Sequence, residues 1–551
     1  MTFNFKSYTP ASKYKTAAAY FSMEFALDQS LKIYSGGLGF LAGSHMRSAY
    51  ELKQNLVGIG MLWSFGYYDQ GRNEDQTLRV NYTRKDYSFL QDTGLVFPVT
   101  IHGAEVHVKA LYLDPEIFGT APMFFLTTDI PQNDHVSRTI THHLYDPNEA
   151  ARVAQSIVLG VGGGKLLDLL GRHTDVYHLN EGHGLPLAFY LYAKHGRQLA
   201  EVQKRLVFTT HTPELAGNEE RPMKLLEDMT FFGDVPTEEI RQVARIYDDN
   251  SLNYTLTALR FARRANAVSK VHGLVSNEMW GGNAGICPII PITNSQNGTY
   301  WRDPELARAL KGKDDNALLL RKKELKKELF KIVADQTGNL FEPEVLTIVW
   351  ARRFAGYKRA DLILRHFERF RELVSRTDRP VQIIWAGKPY PRDYGAINLF
   401  NELIARTRGL RNCAVLTGYE LGLSAAMKKG SDIWLNTPRF PREASGTSGM
   451  TAAMNACVNL SIADGWIPEF TREGENGFLI PHSPVDEQEY VKDDAEATAL
   501  LDVLENTIIP LYYDRPKDFL KVVKTAMKDV EPMFESGRMA KEYYEQLYTA
   551  K

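Results

Sequence analysis

Four short apolar runs, VLTIVWA (345–351), VQIIWAG (381–387), NCAVL (412–416) and SDIWLN (431–436), give the second half of the chain a regular rhythm. Each is followed by a turn and then by apolar positions at helical spacing. Short apolar runs alternating with helical patterns predict right-handed β-α-β units and a parallel sheet. Ligands of such sheets sit at the carboxyl ends of the strands. Polar residues directly after these four runs are therefore the first candidates for a site.

The first 300 residues are less regular. LVFPVTIHGAEVHVKALYL (95–113) alternates at period two and predicts strands, whereas PNEAARVAQSIVLGVGGGKLLDLLG (147–171) predicts helix. DNALLLRKKELKKELFKIVADQTG (315–338) spaces Glu and Lys as a solvated amphipathic helix would. No fixed-period repeat or low-complexity tract interrupts the pattern.

Composition narrows the classes. The 551 residues are 44% hydrophobic and 24% charged, enough to bury a large core and unlike a disordered chain. Sixty-five Lys and Arg against 67 Asp and Glu leave a net charge of −2, so nucleic acid is not an expected partner. Cys287, Cys413 and Cys457 match no metal or redox spacing, and the histidines show no zinc spacing, so no metal is expected. The beginning, MTFNFKSYTPASKYK, lacks the apolar core of a signal peptide, and the most apolar stretch, 56–68, is too short for a bilayer. A cytoplasmic protein with no membrane partner is expected.

Three constellations carry chemistry. Tyr34-Ser-Gly-Gly-Leu-Gly39 precedes a helical stretch, and glycines there let backbone amides approach an anion at a helix N-terminus. Arg352-Arg-Phe-Ala-Gly-Tyr-Lys-Arg359 follows the run 345–351, where four cations would repel one another without an anion, and Arg353 and Lys358 suit phosphate oxygens. Asn436 to Met450 follows the run 431–436 and offers the Glu443 carboxylate beside the small loop Ser445-Gly446-Thr447-Ser448. Two histidine contexts, His178-Leu-Asn-Glu-Gly-His183 and Phe208-Thr-Thr-His211, stand at apparent strand ends.

YFSMEF (20–25), SGGLG (35–39), FTTHTPELAGN (208–218), SQNG (295–298), RRFAGYKR (352–359), WAGKPYPRD (385–393), DIWLNTPRFPREASGTSGM (432–450) and ADGW (463–466) together resemble the short bacterial α-glucan phosphorylases, relatives of glycogen phosphorylase. The resemblance implies an α/β fold of the GT-B type, two Rossmann-like domains facing a cleft. The domains expected are 1–297, on the acceptor side, and 298–520, on the donor side, with 521–551 returning to the first. The resemblance implies retaining glucosyl transfer on an α-1,4-glucan, with phosphate and glucose 1-phosphate as partners and a homodimer as an open option.

Roles follow the motifs. Arg353, Lys358, His211 and Glu443 would be the catalytic set. Gly36, Gly37 and Gly39 would offer amides to the substrate phosphate, His211 would meet the donor glucosyl unit and Asn297 its 6-hydroxyl. Tyr357 would lie at the 2-hydroxyl, and Glu443, Ser445 and Gly446 at the 3-hydroxyl, with Glu24 and His183 also on the substrate side. Arg352, Tyr419, Thr447, Ser448 and Thr451 would surround the phosphate of the cofactor or of a nucleotide.

One position departs from the family pattern. The family block continues to a lysine that carries pyridoxal 5′-phosphate, and here Thr451 follows Met450. Threonine has no amine, so the tether is lost, and with it the expectation of the cofactor. Lys388, Lys428 and Lys429 lie nearby in sequence but are expected at other strand ends. A retaining transferase using a nucleotide sugar is the second reading, and a non-catalytic glucan-binding relative the third.

Overall fold

The computed structural model describes residues 3, 5–247 and 250–550. The chain forms two units. The first holds residues up to Tyr68, Tyr82–Asn294 and the segment from Ser536 on; the second holds Asp69–Asn81 and Ser295–Glu535. The chain thus changes unit at 295 and 536, where the motifs suggest 298 and 521. It also lends the hairpin Asp69–Arg72/Leu78–Asn81 to the second unit, which no periodicity signals.

The first unit is built on a nine-stranded sheet. From edge to edge it runs Ile289–Pro291, Arg264–Ala267, Leu206–Thr209, Val176–Asn180, Ala18–Phe21, Leu56–Met61, Met123–Thr127, Ala104–Leu113 and Gln91–Ile101. Ala104–Leu113 is antiparallel to both its neighbours; the other pairings are parallel. The first strand in sequence, Ala18–Phe21, lies in the interior; on one side the chain later adds strands outward to Ile289–Pro291, and on the other it passes from Leu56–Met61 to the edge strand Gln91–Ile101 and returns inward to Met123–Thr127. The order reverses between Ala18–Phe21 and Val176–Asn180.

The second unit is a six-stranded, wholly parallel sheet in the order Cys413–Leu416, Val381–Ala386, Leu346–Ala351, Ile433–Asn436, Val458–Ile462 and Gly477–Ile480. This is the doubly wound order 3-2-1-4-5-6, with its switch between Leu346–Ala351 and Ile433–Asn436. Its strands read as continuous apolar runs because both faces are covered. Ile348, Trp350, Ile383, Trp385 and Leu435 enter one core, while Val349, Ala351, Ile384, Ala386 and Trp434 enter the other.

The charged stretch 315–338 is a helix, Asp315–Thr337, started by the Asp314 carboxylate on the Ala317 amide and stopped at Gly338, φ +75°. It is not simply solvated. Lys322 donates to the Lys429 and Asn455 carbonyls, and Lys326 to the Val345 carbonyl and the Asp432 carboxylate at 2.5 Å, all buried. Leu318, Leu325, Leu329 and Val333 bury the face on which these two lysines lie, so their stems pass through the core to reach polar ends. Among the described residues no helix is long and apolar enough to cross a membrane. Cys287, Cys413 and Cys457 are free and buried.

Candidate functional site

In the first unit the switch point brings together the residues after Phe21 and after Asn180. The Glu24 carboxylate accepts the Ser35 amide at 2.6 Å, the Gly36 amide at 3.1 Å and the Tyr145 hydroxyl at 2.7 Å. The Gly36 amide, expected to face a substrate anion, is therefore held by Glu24. Helix Gly37–Glu51 begins next to it with no side-chain cap, so Gly37 starts the stretch of backbone donors left over at a helix start. Gly39 is required by packing: a Cβ there would lie 2.8 Å from both Glu24 Oε2 and Tyr34 Cβ.

Glu181, at the end of Val176–Asn180, has φ +72° and ψ 170°, a region nearly confined to glycine. Its own carboxylate holds the strained turn, accepting the Gly182 amide at 3.2 Å, the His211 amide at 2.8 Å and the Thr212 hydroxyl at 3.3 Å. Burial pushes the Glu181 carboxyl up. His211 Nε2 lies 2.7 Å from Asn180 Oδ1, and burial drives its imidazole down to about 3. His183, its ring tilted at 49° to that of Tyr145 with centroids 5.6 Å apart, is likewise driven down to about 3 by burial, and its Nδ1 has no partner among the described residues. At neutral pH both rings are uncharged hydrogen-bonding groups. His178 lies elsewhere: its nitrogens meet Tyr548 Oη at 2.8 Å and Thr209 Oγ1 at 2.6 Å in the core.

In the second unit the switch point joins the turns after Ala351 and Asn436. Arg352 Nη2 lies 2.7 Å from Glu443 Oε2, and Lys358 Nζ lies 3.2 Å from the same oxygen. All three side chains are buried. Burial pushes the Glu443 carboxyl up, but the two cations outweigh it and hold the group below the usual carboxylate range. Arg359 is buried on Asp493 and Glu496. Arg352, Lys358 and Arg359 thus have carboxylates of the chain itself, and the expected mutual repulsion does not by itself demand an external anion. Arg353 is exposed, and Tyr357 is half-buried, its ring 5.1 Å from Lys358 Nζ.

What the cluster does leave open is a set of unused donors beside two cations. Two cations share the Glu443 carboxylate, and among the described residues Arg352 Nη1 is buried without a partner, as is Ser445 Oγ. Gly446, φ +86°, turns the loop so that a Cβ there would come within 3.4 Å of both Arg352 Nη2 and Glu443 Cγ. Thr447 leads into the short helix Ser448–Ala453, and Ser448 Oγ accepts the Trp434 indole N–H at 3.2 Å. Tyr419 donates to the Ala351 carbonyl at 3.2 Å, under the Arg352 turn. Asn297 starts the helix Gly298–Trp301 through the Tyr300 amide at 2.9 Å.

Gln70, in the lent hairpin, was not signalled by any motif. Its Oε1 accepts the Gly418 amide at 2.9 Å and its Nε2 donates to the Gly387 carbonyl at 2.8 Å, bracing two strand ends of the same sheet.

Thr451 is fully buried, and its hydroxyl donates to the Ser448 carbonyl at 3.0 Å. Lys428, expected at another strand end, comes close to this helix. Asn455 Nδ2 donates to both the Thr451 carbonyl at 2.7 Å and the Trp301 carbonyl at 3.0 Å, and Lys428 Nζ lies 3.7 Å from the centre of the Trp301 ring. Burial drives the Lys428 amine well below the usual lysine range. The residues present therefore suit a phosphate group, through Arg352 Nη1 and Ser445 Oγ, but position 451 offers no amine to pyridoxal phosphate.

The chain is 47% identical to an uncharacterized protein of Methanocaldococcus jannaschii over 531 residues, 96% of this chain and 99% of that one. It is 33% identical to a maltodextrin phosphorylase of Thermococcus litoralis over 596 aligned positions, 98% of this chain and 71% of the relative. It is 30% identical to a glycogen phosphorylase of Aquifex aeolicus over 616 positions, 97% and 86% of the two chains. No protein-family model matches the chain.

Proposed function

Because the chain belongs to the glycogen and maltodextrin phosphorylase family, we propose that it transfers glucosyl units between an α-1,4-glucan and phosphate with retention of configuration, in a GT-B arrangement of its two units. The observation that carries this reading is the buried Arg352–Glu443–Lys358 cluster at the switch point of the second sheet. It sets two buried cations on one shared carboxylate, with a guanidinium nitrogen that is unpartnered among the described residues.

Glucosyl transfer passes through an oxocarbenium-like state with a departing oxyanion. Buried, preorganised cations stabilise such an anion far better than water does. Arg352 and Lys358, fixed by Glu443, hold the anion without reorganising, and Arg353 at the exposed lip of the same turn completes the contact. Glu443, fixed by both cations, accepts hydrogen bonds from the sugar hydroxyls. His211, uncharged at neutral pH, offers a neutral hydrogen bond to the donor sugar, and a neutral ring does not oppose the positive charge that develops there.

The test is direct. The purified chain with maltodextrin and inorganic phosphate should release glucose 1-phosphate, and Arg353→Ala should cut that rate by about 10²–10³. Its fold should be unchanged, since the side chain is exposed. A normal rate in this variant would remove Arg353 from the site.

Thr451 favours a second reading, transfer from a nucleotide sugar, whose diphosphate brings two phosphates in one molecule and needs no tethered cofactor. Release of nucleotide from UDP-glucose or ADP-glucose with glucan acceptor, and none of glucose 1-phosphate, would select it. Under either reading the protein as purified should give no pyridoxyl adduct on borohydride reduction. A stoichiometric adduct, which peptide mass spectrometry would place on Lys428 if that amine serves, would overturn the cofactor-free reading.

A further inference from the structure

The turn Ala463-Asp-Gly-Trp466 follows the strand Val458–Ile462 and lies against the loop that carries Glu443. Asp464 is 1% exposed. Its Oδ2 accepts the Glu443 amide at 2.8 Å and its Oδ1 the Gly465 amide at 2.8 Å. The Trp466 amide donates to the Ser445 carbonyl at 3.0 Å. Gly465, φ +59°, lets the two backbones meet: a Cβ there would fall 2.3 Å from the Ser445 oxygen. The turn therefore sets the height of residues 443–446 over the sheet, with Asp464 as its side-chain contact to Glu443.

The charges facing Asp464 are Glu443 and Arg352, with Lys358 on the same Glu443 oxygen as Arg352. With both carboxyls ionised, the cluster of two cations and two carboxylates is neutral. An anion docking at the unpartnered Arg352 Nη1 would then leave a net negative charge in a buried place, which is costly. Arg352 and Lys358 cannot relieve it, and Glu443 is held ionised by both. Asp464 can, by taking a proton on a carboxyl that keeps accepting the two amides.

We propose that Asp464 is a positioning residue of the donor site that takes up one proton when an anion binds beside Arg352, so that anion binding weakens as pH rises. The proposal rests on the reading of this cluster as an anion site. Burial, and then the neighbouring Glu443 charge, push the Asp464 carboxyl up to about 7, so the exchange falls near neutrality.

The sign follows from linkage. A site that gains a proton on binding loses affinity as the proton becomes harder to supply, up to tenfold per pH unit above the free group's titration. Sulfate is the suitable probe, because it does not itself titrate near neutrality as inorganic phosphate does. In the full chain, the sulfate concentration needed for half of the saturable shift in melting temperature should rise several-fold between pH 6.5 and 8. In Asp464→Asn, where no proton can be taken up, that concentration should be the same at both values. The general salting effect of sulfate is common to both proteins and cancels in the comparison.

A wild-type response that is flat with pH overturns the proposal, and so does an equal pH dependence in Asp464→Asn. If Asp464→Asn does not fold, calorimetry of sulfate binding to the wild type in buffers of different ionisation enthalpy decides: enthalpies independent of buffer overturn it. If no saturable shift is seen at any pH, and Arg352→Gln behaves as the wild type does, the anion-site reading itself has failed. Neither outcome depends on whether the chain turns over glucan.

Discussion

Glu443→Gln is expected to lose at least 10²-fold in glucosyl transfer and to destabilise the second unit by about 3–5 kcal/mol, the cost of removing one partner from a buried ion pair. Glu443 is the one carboxylate facing both Arg352 at 2.7 Å and Lys358 at 3.2 Å, and all three are buried. The amide keeps the shape and one acceptor oxygen, so the loss reports charge rather than volume. Two cations then stand without their counter-charge, and Arg352, already with one unpartnered nitrogen, loses its anchor.

Stability and activity separate in a double variant. In Glu443→Gln with Lys358→Met, one unpaired cation is gone and a long apolar stem replaces it. Roughly half of the lost stability should return, because exchanging a buried ion for an apolar residue of similar size is often neutral or favourable. Transfer should stay lost, because the anion site has fewer cations. Urea unfolding and glucose 1-phosphate release measure the two quantities. A single variant with wild-type stability would show that Glu443 is not buried between the cations.

The parallel sheet of the second unit is legible in the sequence because strands covered on both faces must be unbroken apolar runs of strand length. The runs at 345–351, 381–387, 412–416 and 431–436 become Leu346–Ala351, Val381–Ala386, Cys413–Leu416 and Ile433–Asn436. The rule that ligands sit at carboxyl ends then points to 352–359 and 436–450 before any coordinates. What it leaves out is the phase of the pleat. Whether Arg352 or Arg353 turns towards Glu443 depends on which face the last strand residue presents, and two adjacent arginines look alike in one dimension.

Other features depend on contacts far apart in sequence. Lys326 reads as one more solvated lysine until Asp432, 106 positions later, meets it in the core. Gln70 lies in a hairpin with ordinary polar character, and only the fold carries it to Gly387 and Gly418. The two histidine motifs look equivalent as sequence. The His211 amide is held by the carboxylate of the strained Glu181 turn, while His178, on the strand itself, points into the core at Thr209 and Tyr548. Asp464 reads as one residue of the ADGW motif, since nothing local reveals that its carboxylate supports a loop twenty-one residues earlier.

The core histidines lead to the second large effect, a loss of stability between pH 7 and 5. His45 and His178 pack with Tyr20 and Tyr543 at ring distances of 4.8–5.2 Å in the first unit. Burial drives His45 down to about 3, and burial, then the nearby His45 and His211, drives His178 well below the ordinary value. Both are neutral in the folded chain, whereas in the unfolded chain they protonate near 6.5. A histidine with a lowered folded value favours folding fully above 6.5 and loses that contribution as pH falls, by about 2 kcal/mol for each group at pH 5. The buried carboxylate Glu443, held below its ordinary value, begins to lose its share only below about 4.5, while Asp464 and Glu181, both pushed up, favour folding more as pH falls, so a loss in this window belongs to the histidines. Urea unfolding of the first unit should therefore show a drop of about 4 kcal/mol from pH 7 to 5. His45→Phe keeps the ring packing and gives up no hydrogen bond, because both ring nitrogens lack partners among the described residues. That variant should match or exceed the wild type at pH 7 and should reduce the drop by about 2 kcal/mol. If its drop equals that of the wild type, His45 is not neutral and buried as the fold requires.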